Sequence, residues 1–301
     1  GSPAVAPGAA PRATGSTPAS AAPAPSRAAV EPSGTAPRHP FAVGVRKLSL
    51  NRGGARPLPV TIWYPRAAAG RTAAAPGRFP VVVFSHGLTG LPDDYAPLLS
   101  AWAAAGFVVA APAYPHTSRG APQVQVLDVI NQPADASYVL TQVLALDRKA
   151  SDPLRGHLDV ERVAAAGHSA GGITTLGLFT VERDPRLDAG IVLSGSALGV
   201  GTAFSGPAAP QLFVHGQLDD VISYAAGKAA YDAVPWPKAM LSLPDGDHGR
   251  DLMHAGNPAF GVVAGTTVEF LRWTLYRDPA AKRRLPASAA RGGLARLDDH
   301  L

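Results

Sequence analysis

Cysteine is absent from all 301 residues, which removes at one stroke a disulfide framework, a thiolate metal site and a cysteine nucleophile. Long apolar runs are missing too: none reaches the ~18 residues that a membrane-spanning helix needs. The formal net charge is +5 and the isoelectric point about 9.7. Yet the cations are mostly scattered arginines, with Lys282-Arg283-Arg284 as the one run. A nucleic-acid-binding face needs clustered cations that displace counterions together, so no nucleic-acid partner is expected. The histidines show no H-x-x-x-H or H-E-x-x-H zinc spacing. The GVGTAF stretch lacks the third glycine and the acidic partner of a dinucleotide fingerprint. No metal and no organic cofactor are expected, and no internal repeat is visible.

What is there divides into three parts. Residues 1–38 consist almost wholly of Ala, Pro, Ser, Gly and Thr and cannot bury enough surface to offset their ordering entropy, so a disordered leader is expected. Gly1-Ser2 reads as a cloning remnant and any export signal as already removed, which points to a secreted or envelope-associated protein. Residues 39–285 read as one catalytic domain, expected to be monomeric, and 286–301 as a frayed tail without periodicity.

Within the middle part, VGVRKLSL and LPVTIWYP flank an Arg-Gly-Gly-Ala-Arg turn and predict an antiparallel hairpin. Six further β-rich runs follow: 79–87, 106–114, 163–169, 190–196, 211–216 and 239–246. Several are continuously apolar, as parallel strands covered on both faces should be. Helical stretches at 94–105, 132–149, 171–181, 224–234 and 258–276 alternate with them. The expected class is therefore α/β: a mainly parallel central sheet with an N-terminal antiparallel hairpin and helices on both faces.

Gly167-His168-Ser169-Ala170-Gly171 is the one G-x-S-x-G in the chain. It follows the apolar run 163–166 and precedes a helical stretch, the strand, sharp turn and helix of a nucleophile elbow. Glycines two before and two after the serine let strand and helix approach closely. A serine hydroxyl needs a general base, and the base needs an orienting acid, in the chain order Ser, acid, His. QLFVHG ends a strand and delivers Asp219 and Asp220 just beyond it; Asp219 has the better spacing, but sequence cannot orient adjacent carboxylates. His248 follows about 30 residues after that acid in the Gly-rich LPDGDHG loop, with His254 as the weaker candidate. For the oxyanion, one donor is expected to be the N–H of Ala170 and the second that of Leu88, with Thr89 as the alternative. Leu88 and Thr89, His168, the 195–206 stretch with Leu198, and Val221 with Ile222 are expected to line an apolar acyl pocket. The segment between Tyr114 and residue 132 is short, leaving little material for a lid.

Taken together, VTIWYP, VVVFSHGLTG, WAAAGFVVAAPAYPHT, GHSAGG, HGQLDD and DGDH, in register over roughly 43–276, resemble bacterial dienelactone-hydrolase-like esterases. That group includes platelet-activating-factor acetylhydrolase-like lipases, cutinases and polyester hydrolases. The resemblance implies the α/β-hydrolase fold, a Ser169–Asp219–His248 triad, Leu88 and Ala170 as oxyanion donors, and ester substrates, small or polymeric, polyesters such as PET among them. Polyester-hydrolysing cutinases usually carry an aromatic where Leu88 stands, a Trp after the strand that here ends in 194–198, and a C-terminal disulfide. A peptidase or amidase on the same scaffold and a non-catalytic binding protein are the alternative readings.

Overall fold

A computed structural model describes residues 34–68 and 71–301; the leader expected over 1–38 lies outside the described residues as far as Ser33. The hairpin pairs β1 (Ala42–Arg52) with β2 (Arg56–Arg66) antiparallel. Its turn is made by Gly53 and Gly54, both at positive φ, 67° and 80°, a region where a Cβ would be strained. The parallel strands are β3 (Phe79–Ser85), β4 (Val108–Pro112), β5 (Leu158–His168), β6 (Ala189–Leu193), β7 (Gln211–Gly216) and β8 (Lys238–Leu243). With the hairpin and β9 (Arg296–His300) they form one nine-stranded sheet among the described residues, in the order β1-β2-β4-β3-β5-β6-β7-β8-β9.

Every residue of β3, β6 and β7 is buried, because helices cover both faces of the sheet and a half-polar strand would leave unpaired side chains inside. Alternation still sorts side chains by face. Val82 and Phe84 enter a core with Trp102 of α1 (Ala96–Ala104) and with Phe270 and Leu271 of α6 (Phe260–Tyr276). Val81 and Val83 enter the opposite core with Val139, Leu140 and Val143 of α2 (Gln132–Ala145). The helices α3 (Ala170–Gly177) and α4 (Tyr224–Ala233) complete that second layer, and the short α5 (Arg250–Met253) follows β8.

Two segments depart from the sequence reading. Residues 286–301, expected as a frayed tail, continue helix α7 (Pro279–Ala290) through Pro286 and then form β9, antiparallel to β8. The core stripe of α7 is Ala281, Leu285 and Ala289, all at most 1% exposed. Two of its three positions are alanines, too weak a hydrophobic signal in so alanine-rich a chain. Strand β9, RLDDH, is a charged, mostly exposed edge, the pattern that discourages edge-to-edge pairing rather than the apolar alternation of an interior strand. At the other end, residues 34–38 are docked instead of belonging to a free leader. Gly34 N–H donates to the Arg277 carbonyl at 3.0 Å, and Ala36 N–H to the Asp278 carboxylate at 3.0 Å. The same carboxylate caps α7 through Ala280 N–H.

Arg56 on β2 spans Asp128 and Asp135 with both guanidinium edges, 2.7 Å to each carboxylate. This fastens the hairpin to the 3-10 turn Val126–Asn131 and to α2. No helix among the described residues is long and apolar enough to cross a membrane.

Candidate active site

Three strands deliver the site at the carboxyl edge of the sheet. β5 ends at His168 and α3 begins at Ala170, so Ser169 alone makes the turn, at φ 60° and ψ −119°. A non-glycine residue there stores of order 1–3 kcal/mol of strain, tolerated because the turn is closed from both sides. A Cβ on Gly167 would collide with the Gly171 carbonyl, and one on Gly171 with the Ser85 carbonyl. Small residues at both positions are thus a condition of the close approach of strand and helix.

Ser169 Oγ lies 2.8 Å from His248 Nε2, and His248 Nδ1 lies 2.8 Å from Asp219 Oδ2. The other carboxylate oxygen, Oδ1, accepts the N–H groups of Val221 and Ile222 at 2.9 Å each. Asp219 reaches His248 because it is the residue buried under the β7 loop, whereas Asp220 is exposed. Burial alone would raise the Asp219 pKa. It is outweighed by the hydrogen bonds from His248, Val221 and Ile222, and the net shift is downward, so the carboxylate stays ionised near neutral pH. His254, the weaker base candidate, caps the end of α5.

The loop after β3 packs directly on the elbow: a Cβ built on Gly87 would lie 3.2 Å from Ser169 Cβ. Thr89 N–H donates to the Thr117 carbonyl at 2.6 Å. Neither Leu88 N–H nor Ala170 N–H donates to any group among the described residues, and the N-terminal end of α3 adds its partial positive charge at the same place. Of the expected pocket-lining residues, Leu88, Thr89, Leu198 and Val221 are exposed and Ile222 is partly so. His168 departs from that set. It is 4% exposed, and both ring nitrogens are engaged inside the protein, Nδ1 with Tyr95 Oη and Nε2 with the His248 carbonyl, each at 2.7 Å. A histidine whose two nitrogens are both satisfied by protein has nothing left to offer an acyl group.

Sequence reasoning missed Tyr95, and it gave His86 no partner. His86 donates from Nδ1 to the Gly87 carbonyl at 2.7 Å and accepts Tyr114 N–H at Nε2, 3.0 Å. Nothing in a one-dimensional pattern marks such partners, which come from the 3-10 turn Pro92–Tyr95 and from the end of β4.

Burial of these imidazoles predicts how stability varies with pH. Desolvation pushes His86 and His168 down to about 4 and lowers His215 as well, while burial and the neighbouring Asp247 push Asp251 up to about 7. Between pH 4.5 and 6 the unfolded chain protonates His86 and His168, which the folded chain keeps neutral, while the folded chain keeps one extra proton on Asp251. The unfolded state therefore binds about one proton more, and the lowered His215 adds in the same direction, so stability falls as pH falls, by on the order of 1 kcal/mol per pH unit. Urea midpoints at pH 6 and pH 5 check this; equal midpoints would contradict it.

The mainly parallel sheet with its antiparallel hairpin, and a strand-turn-helix elbow at the carboxyl edge, define an α/β-hydrolase. The chain belongs to the PET hydrolase-like family, whose model matches residues 13–275, and with that family it is a carboxylic ester hydrolase of the α/β-hydrolase type. A search of curated proteins found no match.

Proposed function

We propose that the protein is an exported serine esterase that hydrolyses carboxylic esters through an acyl-enzyme, with polyesters such as PET within its range. The reading is carried by one observation: the unbroken chain from the Asp219 carboxylate through His248 to Ser169 Oγ, with two bonds of 2.8 Å. Ser169 attacks the ester carbonyl while His248 Nε2 takes its proton. The negative charge that develops on the carbonyl oxygen is met by the free N–H groups of Ala170 and Leu88. His248 then protonates the departing alcohol, and a water activated by the same imidazole releases the acid. Asp219 fixes the imidazole tautomer and stabilises its cationic form.

The case for bulky substrates rests on exposed apolar side chains on the loops that carry the site: Leu88, Leu198 at 77% and Val221 at 65%, with Leu127 at 81% on the turn before α2. Exposed apolar side chains on these loops suit a solid or aggregated ester. Export accords with a family whose hydrolases are typically extracellular. The test is turnover of p-nitrophenyl esters of increasing chain length, followed by release of soluble aromatic acid from amorphous PET film. Short-chain esters should be turned over well. Zero activity across the series, with Ser169→Ala indistinguishable from wild type, removes the esterase reading; activity on small esters without release from film removes the polyester part alone.

A further inference from the structure

Tyr95 and His168 connect two loops that approach Ser169 from opposite sides. Gly87 N–H, on the loop after β3, donates to Tyr95 Oη at 3.0 Å. Tyr95 Oη lies 2.7 Å from His168 Nδ1, and His168 Nε2 lies 2.7 Å from the carbonyl of His248. The two ends fix the direction of every bond between them. An amide N–H can only donate and a carbonyl can only accept, so His168 carries its proton on Nε2 and Nδ1 is left to accept the Tyr95 hydroxyl. We infer that Tyr95 and His168 are positioning residues that lock the oxyanion loop to the backbone of the base through this one-way chain of three hydrogen bonds. The inference rests on the serine-esterase reading of the site.

Each link has a consequence for the reacting groups. The Gly87 carbonyl is held by Gly90 N–H at 2.9 Å and by His86 Nδ1–H at 2.7 Å, and Tyr95 holds the preceding N–H. The Gly87–Leu88 peptide is thereby clamped, and in a trans peptide the Leu88 N–H points opposite to that clamped carbonyl. At the other end, the His168 and His248 rings lie 4.8 Å apart and tilted by 44°. The base is held through its own carbonyl by a ring that also packs beside it. The chain is built of neutral groups: burial holds the His168 imidazole down at about 4 and the Tyr95 phenol well above its usual value. His248, Asp219 and His215 are the titratable groups that act on His168. A proton on Nδ1 would turn the acceptor into a donor and leave the Tyr95 hydroxyl without its partner.

The variants that open the chain are Tyr95→Phe and His168→Leu; His168→Gln keeps an N–H able to reach the His248 carbonyl. Because small displacements of reacting groups are costly, kcat on a soluble ester should fall by about 10- to 100-fold in Tyr95→Phe and in His168→Leu. KM should stay within about twofold, and His168→Gln should recover part of the loss. Nitrogen-15 NMR of the wild-type protein supplies a readout that needs no substrate: His168 should show a protonated Nε2 and a bare Nδ1 at neutral pH. Wild-type kcat in Tyr95→Phe, or a His168 protonated on Nδ1, overturns the inference. If the wild type turns over no ester, the catalytic reading fails by itself, and the tautomer measurement still decides whether the chain runs as described.

Discussion

Ser169→Ala is expected to reduce kcat on a soluble ester by about 10^6, with the fold retained. The size follows from what the hydroxyl does in the proposed reaction: it supplies the atom that forms the covalent bond, and no other group at the elbow can replace it. The activity that remains should still exceed the rate in water, by about 10^3, because the Ala170 and Leu88 N–H groups and the exposed apolar side chains are untouched. Initial rates on p-nitrophenyl acetate, with a melting curve as the fold control, measure both.

Asp219→Asn should lower kcat by about 10^4, and the structure says why the change is so large for a near-isosteric swap. Oδ1 of Asp219 accepts two fixed backbone donors, Val221 N–H and Ile222 N–H. In the asparagine the amide oxygen takes that position, since an NH2 group there would face two N–H groups. The NH2 is then turned toward His248 Nδ1, where the carboxylate now stands at 2.8 Å. It donates to Nδ1, the ring proton moves to Nε2, and Nε2 can no longer accept the serine proton. KM should change little, and the loss should shrink as pH rises and hydroxide takes over part of the work. A kcat within tenfold of wild type would mean that Asp219 does not set the imidazole tautomer.

The fold was legible in the sequence wherever large apolar side chains carry it. FPVVVFS and QLFVHG read as buried parallel strands because both faces are covered, and the Gly53-Gly54 turn marks the hairpin. It was not legible where alanine carries the packing, as in α7 with Ala281 and Ala289, or where a strand serves as a charged edge, as in β9. Ala36 offered no signal that its N–H would find the Asp278 carboxylate 242 positions away. At the site, residue types and spacing selected Ser169 and His248. The choice between Asp219 and Asp220 needed the course of the β7 loop, which buries one and exposes the other. His168 was misplaced for a related reason: next to a nucleophile a polar ring looks like a substrate contact, until its two nitrogens are traced to Tyr95 and to the His248 carbonyl.

Reaction of the intact protein with a fluorophosphonate, followed by peptide mapping, bears most directly on the claim that this hydroxyl is activated. One phosphonyl group per chain is expected, on Ser169, with labelling slowed by several orders of magnitude in His248→Ala. Labelling of a different serine, or none in the folded protein, would contradict it.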